Sequence, residues 1–462
     1  MSVKNDIPQK QRVLILQGGG ALGAYEAGVF EALSKQLSKD KENTDRPLFD
    51  IIAGTSGGAI NAVLLVSYFR DNKTWKGAAE RLSNYWRNIS VDLSKEVDFW
   101  IRWWNEEHKD DRGAASYEAA RRYYSTKFLL QNGVYGKFPK PNIILDEKFF
   151  DNYPAIPNNI WIRYEKDLLR KGIEDFNFPI STSYENGEPR LLVVSTNVKD
   201  GATVTFDSYP TKSEFGSYRS SATSPGYSKR TARHSGGVKL AHILASSSIP
   251  LFYNFEEIDG DEYCDGGVLS NTPLREVLQA HRDYWYKDVG GKKPNSKVPE
   301  LEIFIAGVWP SKGGEVNRRE GQPNFDEVKE RLYNINLSDK TVYDEKVAVI
   351  VSDYIEIIKQ ITNRALSNIS SKEQKEAFQD DIKLFYNKRA QSKGRDGEPR
   401  RYGSLVQGRT NVSSVTRIEC KADRNGISNK AFDITRTTIE NLIAQGKRDA
   451  EEILQTSSKG KH

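Results

Sequence analysis

Asp50-Ile51-Ile52-Ala53-Gly54-Thr55-Ser56-Gly57-Gly58-Ala59-Ile60-Asn61-Ala62 constrains this chain more than any other stretch. A short apolar run meets Gly-x-Ser-x-Gly, and small and apolar residues then continue at helical spacing. That order describes a strand that stops, turns sharply and enters a helix, leaving a serine exposed at the turn. Gly54 and Gly58 fit the tight packing of strand on helix, where a side chain would collide. Ser56 would stand at the positive end of the new helix, where developing negative charge is stabilised. Five residues of this kind also occur in ordinary glycine-rich turns, so the rest of the chain has to decide.

A second glycine-rich turn precedes it. Val13-Leu14-Ile15-Leu16 has the continuous apolar pattern of a buried parallel strand. Gln17-Gly18-Gly19-Gly20-Ala21-Leu22-Gly23 follows at once, and Ala24 to Leu37 reads as a helix. Such a loop leaves successive backbone N–H groups to converge on an anion. Gly18-x-Gly20-x-x-Gly23 formally satisfies the dinucleotide fingerprint, which would make the anion a pyrophosphate and the chain an oxidoreductase. An oxyanion formed during acyl transfer is the other candidate. The second strand, Phe49 to Ile52, runs into the serine turn rather than ending on a ribose-binding acid, which favours the oxyanion.

At 462 residues the chain can form one large domain or two to three ordinary ones. An apolar fraction of 37% with 11% aromatics supplies a core, and 28% charged residues supply a wide polar surface. The net charge of +5 suits weak attraction to anionic membrane surfaces. No Lys/Arg run interleaved with aromatics points to nucleic acid. With only Cys264 and Cys420 no disulfide framework is implied, and a reducing cytosol is the default expectation. Met1 to Arg12 lacks the apolar core of a signal peptide, and no segment reaches the roughly 18 apolar residues of a spanning helix. Membrane contact is therefore expected to be peripheral.

From Val66 to about Ile180 the pattern is mostly helical and rich in aromatics, above all Phe99-Trp100-Ile101-Arg102-Trp103-Trp104. These rings are expected to fill the core beneath a helical insertion. The sharper reading is an interfacial patch that touches lipid. Leu191 to Ser195 is a strand, with Val204-Thr205-Phe206 as its partner. Asp207 to Gly237 reads as a long solvated loop, whose Arg219, Lys229, Arg230 and Arg233 could meet phosphate headgroups. Val238 to Ala245 reads as a helix and Leu301 to Ala306 as a buried strand. Helical periodicity marks Phe325 to Asn334, Thr341 to Ser367 and Glu373 to Arg389. Lys393 to Ser414 looks like a loop, Val415 to Glu419 like an edge strand, and Ile434 to Leu454 like a closing amphipathic helix.

A serine hydroxyl is a poor nucleophile until something takes its proton. The five histidines offer little: His462 is terminal, His108 lies in the charged insertion, His234 in the long loop, His242 inside a helix and His281 along the helix after Pro273. The order Ser, acid, late His is thus poorly supported. A carboxylate is the better base, and Asp265 is the best-placed candidate, where a strand end meets Gly266 and Gly267. An Asp-Gly pair is most often a hairpin turn. Here two glycines follow the Asp, and a helix start at Thr272-Pro273 makes a plain hairpin less natural.

Taken together, Gln17-Gly18-Gly19-Gly20-Ala21-Leu22-Gly23-Ala24-Tyr25, Gly54-Thr55-Ser56-Gly57-Gly58 and Asp265-Gly266-Gly267 resemble the patatin-like phospholipases in order and approximate spacing. Ala245-Ser246-Ser247-Ser248-Ile249-Pro250 and Asn271-Thr272-Pro273 match as well. The resemblance implies one α/β domain over 1–462, a three-layer sandwich with a mostly parallel sheet, its catalytic segments at about 12–66 and 191–310. It leaves 67–190 as a Trp-rich helical insertion, 311–414 as a second one, and 415–456 as a closing strand and helix. It implies Ser56 as nucleophile, Asp265 as general base, and backbone N–H groups of Gly18, Gly19 and Gly20, helped by Gly57, as the oxyanion hole. Gly23, Gly54, Gly58, Gly266 and Gly267 support the motifs. No metal or organic cofactor is implied. Many patatins carry Arg or Lys where this chain has Leu22, so any headgroup contact from that side chain is absent, and Leu here resembles a bacterial subset.

The expected function is a serine lipid acyl hydrolase, with a lipid or membrane-surface substrate and an acyl-enzyme on a Ser–Asp dyad. The alternative is a catalytically silent lipid- or membrane-binding protein that keeps the fold, which has no use for serine, Asp and glycine loop together. The nucleotide-binding reading leaves Ser56 and Asp265 unexplained.

Overall fold

Residues Val13-Leu14-Ile15-Leu16 are fully sequestered from water and feed two cores at once. Leu14 and Leu16 enter one core, Val13 and Ile15 the other. A strand covered on both faces needs an apolar residue at every position, which explains the unbroken run. The structure, a computed structural model, describes residues 7–459 apart from 40–46, 93–94, 108–116, 133–169, 171–172, 174–175, 211–229, 232–236, 251, 292–295, 310–324, 394–398 and 421–425.

The strands are β1 (Lys10–Leu16), β2 (Ile51–Thr55), β3 (Arg190–Asn197), β4 (Ala202–Asp207), β5 (Arg230–Thr231), β6 (Glu256–Ile258), β7 (Asp261–Asp265), β8 (Glu300–Gly307), β9 (Arg389–Lys393), β10 (Pro399–Arg401) and β11 (Val412–Glu419). The main sheet runs β11-β8-β1-β2-β3-β4-β5. It is parallel from β11 to β3, with Val13 opposite both Ile51 and Ile303. β4 and β7 both join β3 antiparallel. From β1 the chain steps one way to β2 and β3, then returns to β8 on the other side. Such a reversal opens a crevice at the carboxyl ends of the strands, the usual place for a ligand in α/β sheets.

The helices are α1 (Gly23–Leu37), α2 (Gly57–Asn72), α3 (Ala78–Ile89), α4 (Lys95–Glu107), α5 (Tyr117–Asn132), α6 (Leu240–Ser246), α7 (Leu274–Arg282), α8 (Phe325–Leu337), α9 (Val342–Asn368), α10 (Lys372–Asn387) and α11 (Arg436–Lys459). One core takes Leu33 of α1, Val63 of α2, Leu82 of α3 and Ile443 of α11. The other takes Leu274, Val277 and Ala280 of α7, with Val349 of α9 packed against it. The result is the three-layer, mostly parallel α/β sandwich that the sequence predicts. Among the described residues no helix is long and apolar enough to cross a membrane.

The closing helix packs unusually near. A Cβ on Gly28 of α1 would lie 1.9 Å from Ile443 O, and one on Gly446 of α11 would lie 2.0 Å from Tyr25 O. Two bare glycine positions therefore let the helix backbones touch, and Tyr25 Oη donates to Asp449 Oδ2 at 3.0 Å beside them.

Three expectations need correction. Phe99, Trp100 and Trp103 do not fill a core: they are 63%, 61% and 49% exposed on α4 and lean on one another edge to face. Within Lys393 to Ser414, read as loop, β9 pairs with β10, Gly403–Val406 forms a helical turn and β11 has begun at Val412. Backbone pairing needs no apolar periodicity in so short a hairpin. Val238 is not helical but bridges Ile180, and α6 starts at Leu240. Of the long loop, Asp207 closes β4 and Arg230–Thr231 pairs with it, while Arg219, Lys229 and Arg233 lie outside the described residues.

Gly28→Val puts carbon against a backbone carbonyl that cannot swing aside. It should destabilise the protein by about 1–3 kcal/mol or prevent folding, read as a fall in the thermal midpoint.

Candidate active site

The two glycine turns leave the carboxyl ends of β1 and β2 side by side. β2 is buried throughout and stops at Ser56, whose φ of 54° and ψ of −123° suit a side-chain-bearing residue poorly. A residue held there costs of order 1–3 kcal/mol and persists only where neighbours fix it. Ser56 N–H donates to Ser246 Oγ at 2.9 Å, and the Ser246 hydroxyl donates to Val194 O at 2.6 Å. The glycines close the turn, since a Cβ on Gly54 would lie 2.2 Å from Gly58 O and one on Gly58 2.4 Å from Leu16 O. Gly23 at the start of α1 is likewise filled in by Trp86, 2.6 Å from where its Cβ would be.

Buried polar contacts lock the helices that leave these turns. Asn61 Nδ2 donates to Gly23 O at 2.9 Å and to Glu26 Oε2 at 2.7 Å, and Trp86 Nε1 donates to Asn61 Oδ1 at 2.9 Å. α1, α2 and α3 are thus tied together behind the serine. Burial pushes the Glu26 carboxyl well above the usual carboxylate range.

Sheet register brings Asp265 to the same place. β4 takes one edge of β3, pairing Leu192 to Asn197. On the other edge β2 ends with Thr55 opposite Val194, and β7 takes over with Asp265 opposite Ser195. Residues 210 positions apart in the chain therefore meet where one strand succeeds another along a shared edge. The Asp265 N–H donates to Ser248 O at 2.9 Å, and its Oδ1 accepts from Gly267 N at 2.7 Å. A Cβ on Gly266 would lie 2.3 Å from Val194 O, and one on Gly267 2.8 Å from Asn271 Oδ1. Both glycines are thereby accounted for by space.

Burial raises the Asp265 pKa from 3.8 to about 6, against the opposing pull of the Ser56 hydroxyl and the Gly267 N–H. The Ser56 hydroxyl is near enough to favour the ionised carboxylate, yet Oδ2 is buried without a hydrogen bond of proper length and angle. A buried carboxylate oxygen beside a serine, short of a partner, is equipped to receive a proton.

The glycine loop divides its labour. Gly18 N–H donates to Asn271 O at 3.0 Å, so this expected oxyanion donor is spent inside the fold. Gly18 O accepts from Asn271 Nδ2 at 3.0 Å and from Trp309 Nε1 at 2.8 Å. The N–H groups of Gly19, Gly20 and Gly57 have no such partner among the described residues. Gly20 has φ +56 and Gly57 comes so near that its Cβ would lie 2.6 Å from Gly20 O. Gln17 anchors the loop from below: its Nε2 donates to Thr272 Oγ1 at 2.9 Å, and its Oε1 accepts from the N–H groups of Val308 and Trp309 at 2.7 and 2.8 Å.

Sequence reasoning gave no role to Ser246, Ser248, Asn271, Gln17 or Trp309. The first four lie in stretches that resemble the family, which was the available signal; Trp309 carried none. No histidine among the described residues bonds Ser56. His242 stacks on Phe206 with centroids 4.0 Å apart, and burial lowers the His281 pKa to about 3. His108, His234 and His462 lie outside the described residues.

A patatin-like phospholipase family model matches residues 14–278, more than half of the chain. The chain belongs to the patatin-like phospholipases, a family of lipid acyl hydrolases. A search of curated proteins found no match. Among solved structures it is similar to VipD from Legionella pneumophila, at 12% identity over 97% of this chain and 67% of that one, with a TM-score of 0.34.

The raised Asp265 pKa carries a stability consequence. A carboxyl whose pKa is higher folded than unfolded adds stability below pH 3.8, and that stability is lost as pH rises through about 6. Asp265→Asn removes the cost of burying the charge. Its thermal midpoint should exceed that of wild type above pH 6.5 and converge with it below pH 4, a difference of up to about 3 kcal/mol.

Proposed function

We propose that the protein is a serine hydrolase of fatty acyl esters that uses Ser56 and Asp265 as a dyad. The observation that carries this is the junction of β2 and β7, where a serine at a positive-φ turn meets a buried, proton-hungry carboxylate. Membership of a lipid acyl hydrolase family supports the substrate class.

Ser56 Oγ attacks the ester carbonyl while its proton passes to Asp265. The carbonyl oxygen becomes an oxyanion, and the unspent N–H groups of Gly19, Gly20 and Gly57 are its proposed donors. Backbone donors fixed before the reaction stabilise this charge without reorganising. Collapse expels the alcohol, which takes the proton from Asp265, and leaves an acyl-serine. Water then attacks the acyl carbon and gives a proton to Asp265. The second collapse releases the fatty acid and returns that proton to Ser56. No histidine is needed, because a carboxylate with a pKa near 6 matches a base that works close to neutrality.

Two outcomes test the reading. A fluorophosphonate ester should leave one adduct on wild type and none on Ser56→Ala, seen by intact mass. An adduct absent from wild type under every condition would favour a silent lipid-binding protein. Hydrolysis of a soluble short-chain ester should depend on ionised Asp265. Its kcat/KM should fall about tenfold per unit below pH 6 and level off above pH 7.

A further inference from the structure

α8 ends against Asn271 beside the site, and its inward side is mostly polar, with Tyr333 and Leu337 packed on the core. Asn271 Nδ2, which grips Gly18 O, also donates to Leu337 O at 3.1 Å, at the end of α8. Lys430 Nζ donates to Asn334 Oδ1 at 2.7 Å and reaches Glu330 Oε1 at 3.3 Å. The same ammonium lies 4.7 Å from the ring centre of Trp309, the residue that holds Gly18 from the other side. Ser428 N–H and Oγ donate to Asp326 at 3.1 and 2.5 Å. Asp326, Glu330 and Asn334 recur every four residues and so share one helix face, turned to the body of the protein.

The opposite face is apolar and faces water. Phe325, Val328, Leu332 and Ile335 are 85%, 44%, 55% and 47% exposed, and no residue of α8 is buried. A surface helix ordinarily turns such a stripe to the core. The neighbouring α9 presents a second outward row, Tyr343, Val347, Ile350, Tyr354, Ile357 and Ile361. Exposed apolar rows of this length mark an interaction site. The dyad itself is closed, with Ser56 6% and Asp265 5% exposed. A long-chain ester reaches them only after part of the cover moves.

We infer that the outward face of α8 docks on a lipid surface, and that docking draws the end of the helix off Asn271 and opens the site beside it. The inference rests on the reading above, that the substrate is a lipid ester. Such a substrate resides in an aggregate, so the face next to the site is the one that meets that aggregate. The stripe lies on the helix whose end bonds Asn271, the residue that also holds Gly18. Besides Tyr333 and Leu337, which are only partly buried on the core, its inward grips are hydrogen bonds and an ion pair, which water replaces at little cost, whereas only an apolar phase relieves the stripe.

Docking is tested apart from catalysis by floating Ser56→Ala protein with vesicles of phosphatidylcholine and phosphatidylglycerol. The full chain should float, and adding V328S/L332S/I335S should cut the bound fraction about tenfold. Coupling is tested by the rate of fluorophosphonate adduct formation on Ser56. Vesicles should speed it about tenfold in wild type and leave the triple variant at its vesicle-free rate, itself equal to wild type. Glu330→Gln with Asn334→Ala should raise the vesicle-free rate. Flotation of the triple variant equal to wild type would overturn the docking face. So would flotation that needs Trp100 and Trp103 instead, or a dimer in sedimentation that the triple variant breaks. Flotation with an adduct rate indifferent to vesicles would overturn the coupling. Stripe-dependent flotation with no adduct under any condition would keep the docking face and discard the hydrolase.

Discussion

Everything at the site depends on two strand-to-helix turns approaching until their backbones touch. Gly58 lies against Leu16 O, Gly57 against Gly20 O and Gly54 against Gly58 O, with no room for a side chain at any of the three. That contact fixes the serine turn against the glycine loop and leaves the early N–H groups of α2 beside those of Gly19 and Gly20. Glycine is needed here for space more than for flexibility, since Gly54, Gly57 and Gly58 all have ordinary negative φ. The conformational strain is carried by Ser56, and its neighbours hold it there.

The acid partner arrives by a different route. β7 is only five residues long and is placed by succeeding β2 on the edge of β3. The Ser246 hydroxyl, bonded to β3, accepts from Ser56, and the Ser248 carbonyl accepts from Asp265. One short stretch at the end of α6 therefore sets the position of both partners. Closing this junction to water raises the affinity of Asp265 for a proton, so the packing that positions the proposed base also tunes it. The protein bears a standing cost in stability for that, as functional sites commonly do.

Much of this was legible in the chain. The unbroken Val13–Leu16 run could only be a doubly covered strand, and the two glycine turns named the ends of β1 and β2. Asp265 stood out because two glycines follow it. The roles of Ser246, Ser248 and Asn271 were hidden, because each acts on a backbone group brought near by tertiary structure, which local pattern does not encode. Gly18 was assigned to the oxyanion because a loop of three glycines looks equivalent along its length. Only the tertiary contact with Asn271 distinguishes its N–H from the other two.

The aromatic cluster of α4 and the stripes of α8 and α9 show the other limit. Periodicity reveals that a helix has an apolar side, and burial is the default inference because water penalises exposure. It cannot say which way that side turns when the polar side finds better partners. On α8 those partners are Lys430, Ser428 and Asn271, far away in sequence. The sequence by itself determined the strand and helix periods, the glycine turns and the identity of the candidate side chains, because these follow from local sterics and residue chemistry. Tertiary structure alone decided which N–H groups stay unspent, how far Asp265 holds its proton, and which face of α8 meets water, because each depends on contacts between segments far apart in the chain.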